Sequence, residues 1–463
     1  MNYDLIVIGS GPGGYVAAIR ASQLGMKVGV VEKAELGGIC LNWGCIPTKA
    51  LLKSAQVYDY MKHSSDYGIS LAGEVKPDFE AVVKRSRSVA DGMSKGIQFL
   101  FKKNKVEHIV GYGKIKPGKI VEVTDNDGKV TEYSAQHIIL ATGARSRELP
   151  NLKQDGKKII GYREAMVLPQ LPDSMVVVGS GAIGSEFAYF YHTMGTKVTL
   201  VEFMPNLVPI EDEEVSKQLE RSFKKAGMKV MTSSTVDSVA IEGDKCKVTI
   251  KTKKGEEVVE ADIVLLAVGI TTNLENLGIE ETGIVIEKGK VVVDEFYRTN
   301  IEGVYAIGDI VHGPALAHVA SHEGIICVEK ISGKDVEPLD YGNLPGCTYT
   351  HPEIASVGMT EKAAREAGYD IKVGKFPYSA SGKASAAGNK EGFVKVIFDA
   401  KYGEWLGAHL IGDNVTELIA EVVVARKLET TGEEIIQAVH PHPTMSEAVM
   451  EAVAAAYDEV IHI

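Results

Sequence analysis

Two cysteines, Cys40 and Cys45, share the stretch GGICLNWGCIPTKALL at residues 37–52. Close thiols have two chemistries open to them, binding a metal or cycling between dithiol and disulfide. A metal site needs more ligands, and the chain has no second Cys or His pair at zinc spacing. The redox reading therefore leads. A disulfide takes two electrons to become a dithiol, so the pair can pass electrons in twos. Residues five apart on a regular helix point about 140° from each other. A disulfide needs its Cα atoms within ~4.4–6.8 Å. The segment is therefore expected to bend or unwind between the cysteines, and Gly44 and Pro47 suit that. The bland alternative is two buried thiols in a core helix, which explains neither the bend residues nor Lys49. Cys246, Cys327 and Cys347 are scattered and read as structural.

The elements that must position such a pair announce themselves as a repeat. DLIVIGSGPGGYVAAIRASQLGMKVGVVEK opens the chain, and SMVVVGSGAIGSEFAYFYHTMGTKVTLVEF follows at a constant offset of 170 residues. Each copy reads as an apolar strand, a Gly-x-Gly-x-x-Gly turn, a helix, a second strand and a terminal acid. The glycines are Gly9, Gly11 and Gly14, then Gly179, Gly181 and Gly184; the acids are Glu32 and Glu202. A lone glycine pattern is weak, but this strand–turn–helix context with an acid 23 residues after the first glycine is the dinucleotide fingerprint. Glycines admit the pyrophosphate to the backbone, and the helix N-terminus offers unpaired N–H groups to it. The acid accepts hydrogen bonds from the adenosine ribose. Two dinucleotides side by side suggest hydride transfer from a nicotinamide to a second carrier, most simply a flavin. The cysteine pair just after the first fingerprint is the natural next stop for the electrons.

A second echo supports duplication: HIILATG ends at Gly143 and DIVLLAVG at Gly269. Between Lys114 and Tyr133 an alternating, turn-rich stretch reads as a β-meander, and residues 221–261 read likewise. The length of 463 residues suits about three domains. A net charge of −12 argues against nucleic acid as a general partner. No apolar run approaches the ~20 residues of a membrane span. The N-terminus has no secretory signal pattern, and five cysteines do not make a secreted disulfide framework, so a cytoplasmic chain is expected.

GGICLNWGCIPTKALL resembles the redox-active segment of the flavoprotein disulfide reductases, the class I pyridine nucleotide-disulfide oxidoreductases. The likeness continues through GSGPGG, ATGARSRELP, GSGAIGSE, AVGITTN, TNIEGVYAIGD, ALAHVASHEG, YTHPEIASVGMTE and HPHPTMSE, in that order along nearly the whole chain. It is most similar to the branch that oxidises dihydrolipoamide. The resemblance implies an α/β fold with two Rossmann-like domains, for FAD and NAD, and a C-terminal α+β dimerisation domain. The implied bounds are 1–147 for FAD, 148–270 for NAD, 271–343 for a central segment completing the FAD domain, and 344–463 for the interface.

The resemblance also implies roles. Cys40 is then the interchange thiol and Cys45 the thiol nearest the flavin. Lys49 sits at the flavin edge and pairs with Glu186. Asp309 binds the ribityl chain, and Gly113, Thr142, Gly143 and the backbone of Ala315, Leu316, Ala317 and His318 line the FAD site. Val236 and Gly269 join the second fingerprint at the NAD site. His442 is the acid/base and Glu447 its orienting carboxylate. From the residues alone, His442 in HPHPT reads equally as a loop histidine. His440, Pro441 and Pro443 read as turn chemistry, and His351 as structural. No metal is expected. The chemistry is coherent: a thiolate is the nucleophile, and a histidine titrating near neutrality can take and return its proton.

The implied reaction is oxidation of protein-bound dihydrolipoamide by exchange with Cys40–Cys45, with electrons passing through FAD to NAD⁺. The implied partners are a second copy of the chain and the lipoylated and subunit-binding domains of a 2-oxo-acid dehydrogenase acyltransferase, or the lipoyl protein of glycine cleavage. The alternative is another NAD(P)H-dependent disulfide reductase. Mercuric reductases and large thioredoxin reductases carry extra C-terminal cysteines, whereas YDEVIHI has none. A non-enzymatic alternative is a dinucleotide-binding subunit or redox sensor, which turnover of NADH with a small disulfide would exclude.

The nicotinamide preference is directly testable. Glu202 accepts from a ribose 2′-OH and repels a 2′-phosphate, and FMPNLVPI after it offers no Arg or Lys. Steady-state kcat/KM is expected to favour NAD⁺ clearly over NADP⁺, and an equal or better value with NADP⁺ would refute the assignment.

Overall fold

The computed structural model describes residues 2–463, which form two compact units. The first comprises Met1–Leu51, Asp78–Arg147 and Gly269–Leu339. Its centre is a seven-stranded sheet with Glu107–Val110, Val28–Glu32, Asn2–Ile8 and Val130–Leu140 side by side and parallel, the last also flanked by Val304–Ala306. Leu5, Ile6 and Val7 have no solvent exposure, as befits strands covered on both faces. The 114–133 meander forms as expected. Tyr112–Lys116, Ile120–Thr124 and the first half of Val130–Leu140 pair antiparallel, and the third strand then continues into the parallel sheet. The chain leaves through Ala144–Ser146 and returns through Ile270–Thr272, which pair antiparallel.

The second unit comprises Leu52–Pro77, Glu148–Val268 and Asp340–Ile463. It holds the second fingerprint on a five-stranded parallel sheet ordered Lys229–Met231, Lys197–Val201, Ser174–Val178, Ile263–Leu266 and Ile159–Ile160. The second meander is shorter than expected. Residues 221–225 belong to helix Glu213–Lys225, whose apolar positions Val215, Leu219 and Phe223 follow helical spacing and are buried. Strands begin only at Thr235 and run as Thr235–Glu242, Lys245–Thr252 and Gly255–Ala261. The C-terminal part is a five-stranded antiparallel sheet, with Phe393–Asp399 and Trp405–Gly412 buried throughout. Helix Glu447–Ala456 packs on it and buries Val449, Ala452 and Val453. Among the described residues, no helix is long and apolar enough to cross a membrane.

One buried polar row crosses this last sheet. Lys395, His409 and Ser356 stand opposite one another on three adjacent strands. The Lys395 ammonium is 2% exposed and is met by Asp212 at 3.1 Å, Glu214 at 3.0 Å and Glu361 at 2.7 Å. Beside Asp212, Glu211 hydrogen-bonds the Ser356 hydroxyl, while its Oε2 is sealed from solvent without a partner among the described residues. Burial pushes the Glu211 carboxyl up to about 7; the Ser356 hydroxyl opposes that rise and the Asp212 carboxylate adds to it.

A carboxyl raised in the fold binds its proton more tightly there than in the unfolded chain. Folding stability is therefore lost as pH rises from about 4.5, the ordinary value, to about 7, the raised one. The full cost above that window is on the order of 3 kcal/mol. Glu211→Gln removes the titration. Its melting temperature relative to wild type is expected to be more favourable at pH 8 than at pH 5, and a flat or reversed difference would overturn the account.

Candidate active site

The two glycine turns are superimposable in their local geometry. Helices Pro12–Gln23 and Ala182–Met194 begin at Gly11 and Gly181, both at φ −60° and ψ 179°, and neither N-cap makes a side-chain hydrogen bond. A Cβ on Gly9 would lie 2.3 Å from the Ala141 carbonyl oxygen, and one on Gly179 2.4 Å from that of Ala267. On Gly14 it would lie 2.0 Å from Gly9 O, and on Gly184 1.9 Å from Gly179 O. Gly11 and Gly181 face open space. In each copy, then, the outer glycines let helix and strands close up, and the middle glycine leaves uncapped N–H groups accessible. This is the donor set and clearance a pyrophosphate requires, so the residues fit two dinucleotides.

The acids are held by serines that the sequence analysis passed over. Glu32 Oε2 accepts from Ser10 N at 3.0 Å and Ser10 Oγ at 2.8 Å; Glu202 Oε2 accepts from Ser180 N at 2.8 Å and Ser180 Oγ at 2.7 Å. The Oε1 atoms take Ala34 N at 3.0 Å and Met204 N at 2.7 Å. The signal was present: Ser10 and Ser180 obey the same 170-residue offset as the glycines.

The rest of the first site lies in the first unit. Gly308 at φ 75° opens the short turn Gly308–Ile310, and its N–H donates at 2.6 Å to Glu323, a carboxylate 1% exposed. That bond fixes Asp309, whose carboxyl burial pushes up and Lys290 pulls back. Glu323 stands on helix Ala317–Ile331, within the ALAHVASHEG stretch that carries the resemblance. Leu316 is the N-cap of that helix and makes no side-chain hydrogen bond to it. Gly113 packs under the strand ends, where a Cβ would meet Ile8 and Val31 at 3.1 Å. Thr142 Oγ1 donates to Asn273 O at 2.7 Å, and Asn273 N donates to Gly143 O at 2.9 Å. Ala315 directly precedes Leu316. In the second unit Val236 is a core side chain, 2% exposed, so only its backbone is available to a ligand. Gly269 stands at φ 108° in the first unit.

The cysteine segment breaks as its geometry demands. Helix Gly38–Trp43 stops at Gly44, at φ −140° and ψ −119°, and helix Cys45–Lys62 starts immediately. Pro47 falls in the first turn of the second helix, where a missing N–H costs nothing. A Cβ on Gly38 would lie 2.6 Å from Gly11 Cα, which places the segment directly on the first glycine turn. Cys40 is partly buried and Cys45 exposed. The thiols face each other. Cys45 is the strongest influence raising the Cys40 thiol, burial adds to it, and the ammonium of Lys49 opposes both.

In the second unit, His442 Nδ1 lies 2.9 Å from Glu447 Oε1, and Thr444 N donates to Glu447 Oε2 at 2.8 Å. Burial acts to raise the Glu447 carboxyl, but these hydrogen bonds outweigh it and hold the group low. A carboxylate so fixed leaves Nε2 of His442 directed outward on an exposed ring. His440 is the contrast: Nδ1 meets Ala438 O at 3.0 Å and Nε2 meets Glu421 at 2.7 Å, so both nitrogens are engaged in structure. Glu186 is 4% exposed on helix Ala182–Met194 and accepts from Tyr349 N at 3.0 Å.

The chain belongs to the pyridine nucleotide-disulphide oxidoreductase family. The family's main domain matches residues 3–324 and its dimerisation domain residues 344–453. Among its relatives, a protein of Rhizobium etli named dihydrolipoyl dehydrogenase is 51% identical, covering 100% of this chain and 99% of that protein. The mitochondrial dihydrolipoyl dehydrogenase of Pisum sativum is 43% identical over 99% of this chain and 92% of its own. The crystal structure of LpdA from Mycobacterium tuberculosis superposes with a TM-score of 0.91 at 28% identity, over 97% of this chain and 98% of that one.

Because Cys45 dominates the rise at Cys40, deleting that thiol should release it. In reduced Cys45→Ala, Cys40 is expected to be alkylated at lower pH than Cys40 of the reduced wild type, as read by peptide mapping across a pH series. An unchanged or higher titration would show that the two thiols are not coupled.

Proposed function

We propose that this chain is an FAD-dependent dihydrolipoyl dehydrogenase, oxidising protein-bound dihydrolipoamide and delivering the electrons to NAD⁺. The observation that carries it is the pair of facing thiols across a helix break, seated on the first of two matched dinucleotide turns. Full-length identity to proteins of that name supports the substrate. Bound FAD supplies a two-electron relay between a dithiol and the nicotinamide of NAD⁺. Gly9, Gly11, Gly14, Glu32, Asp309 and the 315–318 backbone hold FAD; Gly179, Gly181, Gly184 and Glu202 hold NAD⁺. The domains follow as 1–147 with 271–343 for FAD, 148–270 for NAD and 344–463 for the interface.

The exchange balances on the protein's own residues. One substrate thiolate attacks Cys40 of the disulfide, forming a mixed disulfide and releasing Cys45 as thiolate. The second substrate sulfur then attacks the first, closing the cyclic disulfide and returning Cys40 as a thiolate. His442 accepts the proton that each attacking thiol must lose, and Glu447 fixes its tautomer and stabilises its charged form. Lys49 supplies positive charge beside the thiols. The active form is a homodimer in which His442 serves Cys40 of the other subunit. The wider partners are the lipoyl and subunit-binding domains of a 2-oxo-acid dehydrogenase acyltransferase, or the lipoyl protein of glycine cleavage. A cytoplasmic location suits thiols that must stay reducible.

Assays of dihydrolipoamide and glutathione oxidation, each with NAD⁺ and NADP⁺, are expected to show turnover only for dihydrolipoamide with NAD⁺; preference for glutathione would overturn the substrate. His442→Gln should slow dithiol oxidation by ~10²–10⁴-fold with both cofactors still bound, and Glu447→Gln by less, since it orients rather than transfers the proton. Mixed dimers of inactive Cys40→Ser and His442→Gln subunits should regain activity. Hybrids shown to form yet remaining inactive would mean each site lies within one chain.

A further inference from the structure

The short helix bearing Cys40 ends between the two cysteines, and a side chain from another helix holds that end. Asn42, next to last in Gly38–Trp43, is 2% exposed, and its amide donates to Leu36 O at 2.9 Å and Gly38 O at 3.0 Å. Its own carbonyl lies in the last turn, where helices lack internal partners. Arg87, from helix Phe79–Lys103, fills that role: Nη1 donates to Asn42 O at 2.5 Å. Its guanidinium carbon stands 4.0 Å from the centroid of the Trp43 ring, well within cation–π range. Two residues earlier on the same helix, Arg85 Nη1 donates to Ala50 O at 2.7 Å, beyond Cys45. The break at Gly44 is bracketed by two arginine–carbonyl bonds from one rigid element.

The redox pair needs such a bracket. A disulfide tolerates a narrow range of Cα separations, and Gly44 is the residue least able to hold a separation by itself. Whatever fixes residues 42 and 43 against helix Phe79–Lys103 fixes where Cys40 stands relative to Cys45. We propose that Arg87, acting through Trp43 and the Asn42 carbonyl, is a positioning residue for the Cys40–Cys45 couple and stabilises its disulfide form. The inference rests on the redox reading of that pair given above.

Geometry and charge make opposite demands here. If Arg87 acts by holding position, loosening it lowers the effective concentration of one thiol at the other, and the disulfide becomes easier to reduce. If it acts only as a positive charge favouring thiolates, removing it makes the disulfide harder to reduce. Lysine retains the charge but cannot reproduce the planar stacking or forked donation of arginine. Arg87→Lys therefore separates the two.

The holoenzyme is equilibrated with mixtures of reduced and oxidised dithiothreitol. In that exchange two protein thiols become a disulfide as oxidised dithiothreitol is reduced. Cys40 and Cys45 are then trapped by alkylation and quantified by mass spectrometry, with melting curves confirming the fold. Arg87→Lys and Trp43→Leu are each expected to shift the equilibrium about tenfold toward the dithiol, about 30 mV. The double variant should shift little further, because the two residues act as one unit. Wild-type equilibria in both single variants, or a shift toward the disulfide, would overturn the proposal. Failure of the wild type to form the Cys40–Cys45 disulfide anywhere in the series would instead remove the redox reading itself.

Discussion

Much of the first unit is built around the contact between the α-carbon of Gly14 and the carbonyl oxygen of Gly9. No side chain fits there, since a Cβ would stand 2.0 Å from the oxygen. That approach draws the first helix onto its strand and leaves its N-terminal amides facing outward. The same helix then accepts helix Ala317–Ile331 at short range, where a Cβ on Gly324 would lie 2.7 Å from Gly13 O. The cysteine segment rests on the turn through Gly38. A dinucleotide turn, a redox segment and the helix that fixes Asp309 are thus assembled on a few glycine contacts. The second unit repeats the first of them at Gly179 and Gly184.

A second regularity concerns how carboxylates are held. Glu32, Glu202, Glu323, Glu186 and Glu447 each accept a hydrogen bond from a backbone N–H, from Ser10, Ser180, Gly308, Tyr349 and Thr444 respectively. A backbone amide orients a carboxylate without cancelling its charge, whereas a lysine or arginine would do both. Glu32 and Glu202 therefore sit in fixed directions with their charge available to a ribose, and Glu447 with its charge available to the His442 imidazole. Where the fold does use a cation, at Lys395 with Asp212, Glu214 and Glu361, the cluster is structural.

What could be read from the chain alone was whatever local spacing encodes. The repeat, the parallel strands and the break at Gly44 are set by residues within a few positions of one another, or by a constant offset, whereas the roles of His442 and Glu447 came only with the family resemblance. Ser10 and Ser180 obey the same offset as the glycines beside them. Arg87 was not legible, because it acts on a segment distant in sequence and carries no periodicity that marks it out. Residues 221–225 end a helix instead of opening the meander, because Phe223 continues the helical spacing of Val215 and Leu219, which begins upstream of that stretch. Grouping of the second-fingerprint segment with the C-terminal sheet depends on contacts such as Lys395–Asp212, which no spacing rule anticipates.

The paired strands Ala144–Ser146 and Ile270–Thr272 set Ser146 directly across from Ile270. To the first unit, everything between them is a single loop whose two ends already touch. The entropy of closing such a loop grows only logarithmically with its length, so the size of the inserted segment scarcely weighs on the stability of the sheet that hosts it. The doorway is a hairpin in all but the length of its turn. A gene that replaced the insert with a few turn residues would leave each strand of the first sheet with the same neighbours, making that sheet a self-contained topological module into which the segment between the two strands has been spliced.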